Sequence, residues 1–182
     1  MPRYVALLRG INVGRHKRLA MSDLRELLGA AGHSEVRTHL QSGNALFTSQ
    51  NRNPERLAGE IEARIKQRLG LDVRCLIRSR DEFHAVIDGN TLSQVATDGS
   101  RMLALFLSET PRSSLLAAHD PTELARVHIR IGERVVYQWC PDGILAAPNV
   151  REFLEKHLNV VVTSRNWNTV TKLSAMLDGD AR

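Results

Sequence analysis

Hydrophobic positions follow two different spacings along the first 78 residues. The run Val5–Leu8 is apolar at every position, which is typical of a central strand that is buried on both faces. Elsewhere apolar residues recur every three or four positions, as at Leu24, Leu27 and Leu28, and this spacing predicts an amphipathic helix. The two spacings alternate in the order β-α-β-β-α-β, which is the element order of a ferredoxin-like unit.

Capping and turn residues mark the ends of these elements. Asn53 followed by Pro54 predicts the start of a helix, and Gly70 predicts its end. Ser22 is the predicted N-cap of the first helix, and the segment 42–44 is a predicted turn between two strands. The predicted strands of this half are residues 3–9, 36–41, 45–48 and 71–78.

The second half of the chain repeats the same element order and adds a final helix. Its predicted strands are 101–108, 124–131, 134–139 and 160–163, and its predicted helices are 113–119, 150–158 and 166–177. No residue-level repeat relates the two halves, so the repeat is a hypothesis about topology. We predict an α+β protein with two ferredoxin-like (βαββαβ) subdomains that have antiparallel sheets, plus a C-terminal helix. The predicted domains are a first subdomain at 1–78, a helix and linker at 79–100, and a second subdomain with the C-terminal helix at 101–182.

Composition narrows the class of protein. The 182 residues carry a formal net charge of +5, and only four of the 25 basic residues are lysine. Arginine suits bidentate contacts with phosphate or carboxylate, and codon usage in a GC-rich genome is the alternative explanation. No apolar run approaches the roughly 20 residues of a membrane span, and no signal peptide precedes the first strand. We therefore expect a cytoplasmic protein without a membrane partner, in which Cys75 and Cys140 are buried free thiols.

The segment after the first strand is the strongest candidate for a binding site. Gly10 and Gly14 allow positive φ angles and the close approach of a ligand. Five basic residues surround them: Arg9, Arg15, His16, Lys17 and Arg18. The glycine spacing is neither that of a P-loop nor that of a dinucleotide-binding motif. We interpret the segment as an anion-binding loop; the alternative is a solvated connection whose glycines serve turn geometry.

Two further segments carry polar candidates. A strand is predicted to end and a helix to begin near Arg165, where free N–H groups and the helix dipole favour an anion, and an ordinary capped helix is the alternative. The turn around Gly43 needs no function, but its polar side chains could line the same site. The candidate ligand-binding residues are Arg9, Asn12, Arg15, His16, Lys17, Gln41, Ser42, Asn44, Arg165, Asn166, Asn168, Thr169 and Lys172.

The remaining reactive and aromatic residues indicate no specific chemistry. Tyr137 and Trp139 share a predicted sheet face, where they either stack on nucleic-acid bases or pack in the core. The seven histidines show no metal-ligand spacing, and no Ser/His/Asp or Cys/His arrangement can be proposed from residue order. We therefore assign no catalytic residue, no metal and no cofactor.

The chain resembles the bacterial family called domain of unknown function 1697 in three stretches: LRGINVG, LQSGNALF and TSRNWNTVTKL. The resemblance implies an α+β fold with ferredoxin-like subdomains and implies no reaction, because the family has no established activity. It implies family site residues at Arg9, Gly10, Asn12, Gly14, Gln41, Ser42, Gly43, Asn44, Arg165, Asn166, Trp167, Asn168 and Thr169. Two departures from the family pattern are Arg15, where a second glycine is usual, and 144–149, which lacks the usual Ser-Lys pair.

Three functions are compatible with these observations. The first hypothesis is a site for an anionic or phosphate-bearing small ligand where the three segments converge. The second is a nucleic-acid-binding module, which the basic pI of about 9.8 favours and the 4% aromatic content disfavours. The third is an enzyme that holds an anionic substrate, although no general base is visible in the sequence. The oligomeric state is not predicted.

Overall fold

The structure of the chain is a computed structural model that describes residues 1–179. The chain divides into two compact units, one formed by Met1–His84 with the segment from Leu173, the other by Ala85–Lys172. Each unit contains a four-stranded antiparallel sheet with interleaved helices. The predicted α+β class with two ferredoxin-like subdomains and a C-terminal helix is confirmed.

The first unit is built around a sheet in which the first strand is central. Its elements are β1 (Arg3–Arg9), α1 (Met21–Ala30), β2 (Ser34–His39), β3 (Asn44–Thr48), α2 (Pro54–Leu69), β4 (Arg74–Ser79) and the start of α3 (Arg80–Asp88). The strand order is β2-β3-β1-β4, and every neighbouring pair is antiparallel. Because β1 lies between β3 and β4, the loop that follows β1 leaves from the middle of the sheet.

Both faces of β1 are buried. Tyr4, Ala6 and Leu8 face the core that α1 and α2 cover. Val5 and Leu7 point to the opposite face and are 0% exposed. The prediction of a central strand that is buried on both faces is therefore confirmed. Burial of this apolar surface stabilises the strand.

The C-terminal end of the last helix belongs to the first unit. Arg3 Nη1 donates a hydrogen bond of 2.9 Å to the carbonyl oxygen of Leu177, and Arg37 Nη2 donates one of 2.7 Å to that of Met176. Arg80 and Asp178 form an ion pair with a distance of 2.6 Å. These contacts attach the last described residues of the chain to strands and a helix from its first half.

The second unit repeats the topology of the first. Its elements are β5 (Met102–Leu107), α4 (Ser113–Ala118), a 3₁₀ helix (Pro121–Leu124), β6 (Ile129–Gly132), β7 (Val135–Trp139), α5 (Val150–Leu158), β8 (Val162–Asn166) and the start of α6 (Trp167–Asp178). The strand order is β6-β7-β5-β8, the same order as in the first sheet. The hypothesis of a topological repeat is therefore confirmed.

The helices of the second unit are shorter than their counterparts. In the first unit α1 and α2 have 10 and 16 residues, whereas α4 and α5 have 6 and 9. At 1.5 Å per residue, α2 spans about 24 Å and α5 only about 14 Å. The end of the second sheet near Leu103 and Ser164 is accordingly only half-buried.

Local boundaries differ from the predictions where side chains compete with regular structure. The helix α1 begins one residue before Ser22, with Ala20 as an N-cap that makes no side-chain hydrogen bond, because the helix extends far enough to bury Met21. The strand predicted at 124–131 is wrong in its first half, because a 3₁₀ helix ends at Leu124, a turn follows it, and the strand begins only at Ile129. Asp120 caps that 3₁₀ helix by accepting a hydrogen bond from the amide of Thr122. The caps Asn53 and Gly70 are confirmed.

The prediction made for the two cysteines is confirmed. Cys75 and Cys140 are both buried free thiols, as predicted. None of the helices within residues 1–179 is both long enough and apolar enough to cross a membrane.

A half-buried histidine gives the first unit a dependence on pH. The imidazole of His33 packs against the ring of Phe47 with centroids 4.6 Å apart, and its Nε2 is buried without a hydrogen-bond partner among residues 1–179. Burial lowers the pKa of His33 below its ordinary value of 6.5; Glu60 acts in the opposite direction, and Arg64 lowers the pKa further. The folded protein therefore binds this proton less readily than the unfolded chain does.

We expect the free energy of unfolding to fall as the pH is lowered from about 7.5 to about 5.5, because the unfolded state then binds more protons. The measurement is a pair of urea titrations at these two pH values. His33→Phe removes the titrating group but keeps an aromatic ring, so its loss of stability should be smaller than that of the wild type. An equal loss in both proteins would contradict the assignment. The residual dependence includes His157, whose pKa burial also lowers.

Candidate functional site

The loop that follows β1 has a defined backbone conformation. We call residues 10–18 the basic loop. Ile11, near the start of the loop, and Leu19, which directly follows it, are 2% and 1% exposed and belong to the core of the first unit. The amide N–H of Asn12 donates to the carbonyl oxygen of Lys17 over 3.0 Å, and this bond closes the loop. Gly10, Asn12 and Lys17 all have positive φ angles. The loop is therefore a compact turn whose ends are anchored in apolar contacts.

Asn12 is the residue that holds the basic loop in place. Its Oδ1 accepts a hydrogen bond of 2.9 Å from the amide of Leu19, and its Nδ2 donates to the carbonyl of the same residue over 2.9 Å. The Nδ2 also donates to the carbonyl oxygen of Gln41 over 2.6 Å. The side-chain N–H groups of Asn12 thus donate to backbone carbonyl oxygens. The ligand contact predicted for Asn12 stays a prediction, while its structural role is evident.

The tip of the basic loop presents its charges to solvent. Arg15, His16, Lys17 and Arg18 are all exposed. In the described part of the chain, no carboxylate lies within the 4.0 Å of an ion pair from any of these four side chains. Lys17 still acts at longer range, because the pKa of Asp72 is lowered mainly by its hydrogen bond and charge interaction with Lys66 and further by the charge of Lys17. The tip is therefore a concentrated positive charge without a bonded counter-ion.

The turn between β2 and β3 lies directly against the basic loop. Gly43 is buried, has a φ angle of +88°, and accepts a hydrogen bond of 2.8 Å from the amide of Leu8. Asn44 is 0% exposed, and its Nδ2 donates to His39 O and Ser42 Oγ. Gln41 and Ser42 remain exposed. Because β1 pairs with β3, the first two candidate segments meet at one end of the first sheet.

The third candidate segment belongs to the second unit, where it is split between two faces of the sheet. Arg165 lies in β8, pairs with Ala104 of β5 and is 8% exposed. Its Nη1 donates to Thr163 Oγ1 over 2.9 Å and to the carbonyl oxygen of Ser164 over 2.8 Å. Successive residues of a strand point to opposite faces, so Asn166 faces the other side. The predicted strand 160–163 ends too early, because β8 continues to Asn166 and so includes Arg165.

The side chain of Asn166 caps the start of α6. Asn166 Oδ1 accepts a hydrogen bond of 3.0 Å from the amide of Thr169, which is 7% exposed. Asn168 is exposed and Lys172 is half-buried. These positions do not form a single exposed polar face. The convergence of this segment with the first two stays a prediction.

The two aromatic residues of β7 are core residues. Tyr137 is 1% exposed and its hydroxyl donates to the carbonyl oxygen of Val86 over 2.8 Å. Burial raises the pKa of Tyr137 to about 12. Trp139 is 9% exposed. The core interpretation of these rings is confirmed, and the alternative of an exposed platform for nucleic-acid bases is wrong.

The second unit contains a cavity that the sequence motifs did not predict. It has a volume of about 300 Å³ and is lined by strand residues Leu103, Leu105, Gln138 and Ser164 together with the segment 144–151. The signal that could have found it is the polar Gln138 within an apolar strand, since a buried amide needs partners. Within residues 1–179, no cluster of three or more His, Cys, Asp and Glu side chains could hold a metal ion.

Comparison with known proteins agrees with this fold and supplies no activity. The chain is similar over 97% of its length to 98% of "conserved bacterial protein SP0830 from Streptococcus pneumoniae", with a TM-score of 0.67 and 22% sequence identity, a likeness that shows the fold alone. Curated proteins gave no significant sequence match. Residues 1–137 match the model of the family "Protein of unknown function (DUF1697)", a range that includes the first two motif stretches but not the third. The chain therefore belongs to the DUF1697 family.

Proposed function

We propose that this protein binds an anionic, phosphate-bearing small ligand at the basic loop. The observation that carries the proposal is the group of exposed basic side chains at the loop tip, with no carboxylate of residues 1–179 at ion-pair distance. Charges of one sign that lack local counter-ions raise the concentration of oppositely charged ligands around them. An anion would therefore bind without first displacing an internal ion pair.

The conformation of the loop supports the same proposal. The closing hydrogen bond between Asn12 and Lys17 and the side-chain bonds of Asn12 fix the backbone beneath the charged tip. A binding segment that is already ordered loses less conformational entropy when the ligand arrives. Gly14 has a φ angle of +64° and no atom within 4 Å of the place where a Cβ would be. A phosphate group can accordingly approach the backbone N–H groups at this position.

The chemistry of the side chains favours phosphate. Arg15 and Arg18 carry planar guanidinium groups that can bind two oxygen atoms of a phosphate at once, and Lys17 supplies a compact charge. The exposed amide of Gln41 lies beside the loop, where its residue accepts the bond from Asn12. The proposed role of Gln41 is to hydrogen-bond the uncharged part of the ligand.

The test compares two variants that each lose three exposed positive charges. The loop variant is Arg15→Ala/Lys17→Ala/Arg18→Ala, and the charge-matched control is Arg52→Ala/Arg112→Ala/Lys156→Ala. Thermal-shift titrations with inorganic phosphate, ribose 5-phosphate and adenosine diphosphate report binding, because a ligand of the folded state raises the melting temperature. We expect the loop variant to bind at least one of these probes about tenfold more weakly, and the control to change less than about twofold.

Two outcomes would reject the proposal. One is a wild-type protein whose melting temperature none of the three probes raises beyond what sodium chloride at equal ionic strength does. The other is an equal loss of binding in both variants, which would indicate a general effect of net charge. Tighter binding of a single-stranded RNA oligonucleotide than of any small phosphate, with affinity falling steeply with salt, would favour the nucleic-acid hypothesis instead.

A further inference from the structure

We infer that the second unit contains a separate binding pocket for a small apolar carboxylic acid that carries a hydrogen-bond donor. The pocket is the cavity of about 300 Å³ between the second sheet and the segment 144–151. This volume is at the lower end of the range of small-molecule sites, about 300 to 1,000 Å³. The inference is independent of the proposed function of the basic loop, because no residue is shared.

The cavity lies where the segment 144–151, in place of a longer helix, faces the second sheet. Leu103 pairs with Gln138 on one side and with Asn166 on the other, and Leu105 pairs with Ser164. Paired residues of neighbouring strands point to the same face. Leu103, Leu105, Gln138 and Ser164 therefore form one continuous floor, which is apolar in the middle and polar on both sides.

The rim of the cavity is apolar and exposed. Ile144 is 46% exposed, and Leu145 is fully exposed at 103%. Both residues lie in a segment of consecutive turns, in which the amide of Ala146 donates to Gly143 and that of Ala147 to Ile144. Together with Leu103 on the floor, these side chains would lose contact with water if an apolar body lay between them. The hydrophobic effect therefore favours a ligand with an apolar body.

A buried amide supplies the polar specificity. Gln138 is 3% exposed, and its Nε2 donates to the carbonyl oxygen of Pro148 over 2.9 Å. That bond fixes the orientation of the amide at the cavity wall. Its Oε1 receives no hydrogen bond from the part of the chain that the structure describes. Because the Oε1 of Gln138 is held in place and accepts no hydrogen bond from the described residues, a ligand N–H or O–H group can donate one to it.

The charge of the lining selects a carboxylate. Arg151 is exposed at the mouth and, within residues 1–179, has no carboxylate at ion-pair distance. No Asp or Glu is among the lining residues. The nearest acid in sequence, Glu152, is engaged with the Nδ2 of Asn149 over 3.0 Å. A guanidinium at the edge of an apolar cavity can bind a carboxylate through two hydrogen bonds.

The experiment uses three probes that share one ring system. Indole-3-acetate has the apolar body, the N–H donor and the carboxylate; tryptamine replaces the carboxylate by an ammonium; 1-methylindole-3-acetate lacks the donor. Titration of the 182-residue chain is followed by nuclear magnetic resonance, with the side-chain amide of Gln138 as a reporter in the cavity. We expect indole-3-acetate to bind about tenfold more tightly than tryptamine and about fivefold more tightly than the methylated acid.

Two surface variants test the pocket without disturbing the core. Arg151→Ala removes the cation, and Leu145→Glu places a negative charge on the fully exposed rim. Each should weaken indole-3-acetate binding about tenfold, whereas Arg112→Ala, an exposed arginine outside the cavity, should not change it. The inference is overturned if indole-3-acetate does not bind at up to about 10 mM, a level that corresponds to almost no specific affinity. It is equally overturned if both surface variants bind indole-3-acetate like the wild type.

Discussion

Replacing Gly43 by alanine is expected to lower the free energy of unfolding by about 2 to 4 kcal/mol. A Cβ at this position would lie 2.7 Å from Ile11 Cδ1 and 2.8 Å from Leu8 Cβ, inside van der Waals contact. The methyl end of Ile11 can rotate, but the Cβ of Leu8 is fixed by the central strand. The φ angle of +88° adds the cost of a left-handed conformation. Urea titration monitored by circular dichroism measures the change.

Gly14→Ala is the matched control for this prediction. Gly14 also has a left-handed φ angle, +64°, but nothing lies within 4 Å of the place where its Cβ would be. Its cost should therefore be the conformational part alone, about 1 kcal/mol. The difference between the two variants isolates the close packing of the turn on Leu8 and Ile11. If the two alanine substitutions lowered the free energy of unfolding equally, the close packing of the turn would not contribute to stability.

Replacing Asn12 by glycine is expected to destabilise the first unit by about 2 to 3 kcal/mol, because three hydrogen bonds worth about 1 kcal/mol each are lost. Glycine is chosen since it tolerates the φ angle of +55° better than asparagine does, so only the side-chain contacts are removed. The amide and carbonyl of Leu19, which is 1% exposed, would lose their partners. The urea midpoint reports the loss.

Lys17→Ala is the control variant for Asn12→Gly. Its φ angle of +49° is similar, but its exposed side chain makes no ion pair with the described residues. Lys17→Ala should therefore change the stability by less than about 0.5 kcal/mol. A stable Asn12→Gly protein would show that the loop holds its shape without the amide. In that case the ordering that supports the proposed phosphate site would have another origin.

The elements that could be predicted from the sequence are those in which local and long-range forces agree. Strand β1 was predicted with its observed limits, Arg3–Arg9, because an all-apolar run suits the centre of a sheet. Asn53 and Gly70 were predicted as caps because their side-chain oxygen and their backbone freedom act within one turn.

The elements that could not be predicted depend on contacts or competitions that spacing does not show. β2 ends at His39, two residues earlier than predicted, and Leu40 has a φ angle of +59°, which leucine rarely adopts. Nothing local favours that conformation. It is tolerated because the turn is fixed elsewhere, by the side chain of Asn44 and by the bond from Leu8 to Gly43.

The candidate site shows the same division. The positive charge of the basic loop follows directly from its sequence. The contact of Asn12 with Gln41 joins residues 29 positions apart, and it depends on the pairing of β1 with β3. The sequence predicts a helix start in the third segment, but β8 continues through Arg165 and Asn166. The side chains of Arg165 and Asn166 therefore point to opposite faces of the sheet.

The attachment of the last helix to the first unit has a consequence for the synthesis of the protein. Translation proceeds from the N-terminus, yet Arg3 and Arg37 find their carbonyl acceptors only at Leu177 and Met176. All of β5 to β8 must therefore leave the ribosome before the first unit can make these bonds. The unit that contains the first residues to be synthesised is therefore completed last. Arg3 and Arg37 can form their hydrogen bonds to Leu177 and Met176 only when translation is almost finished.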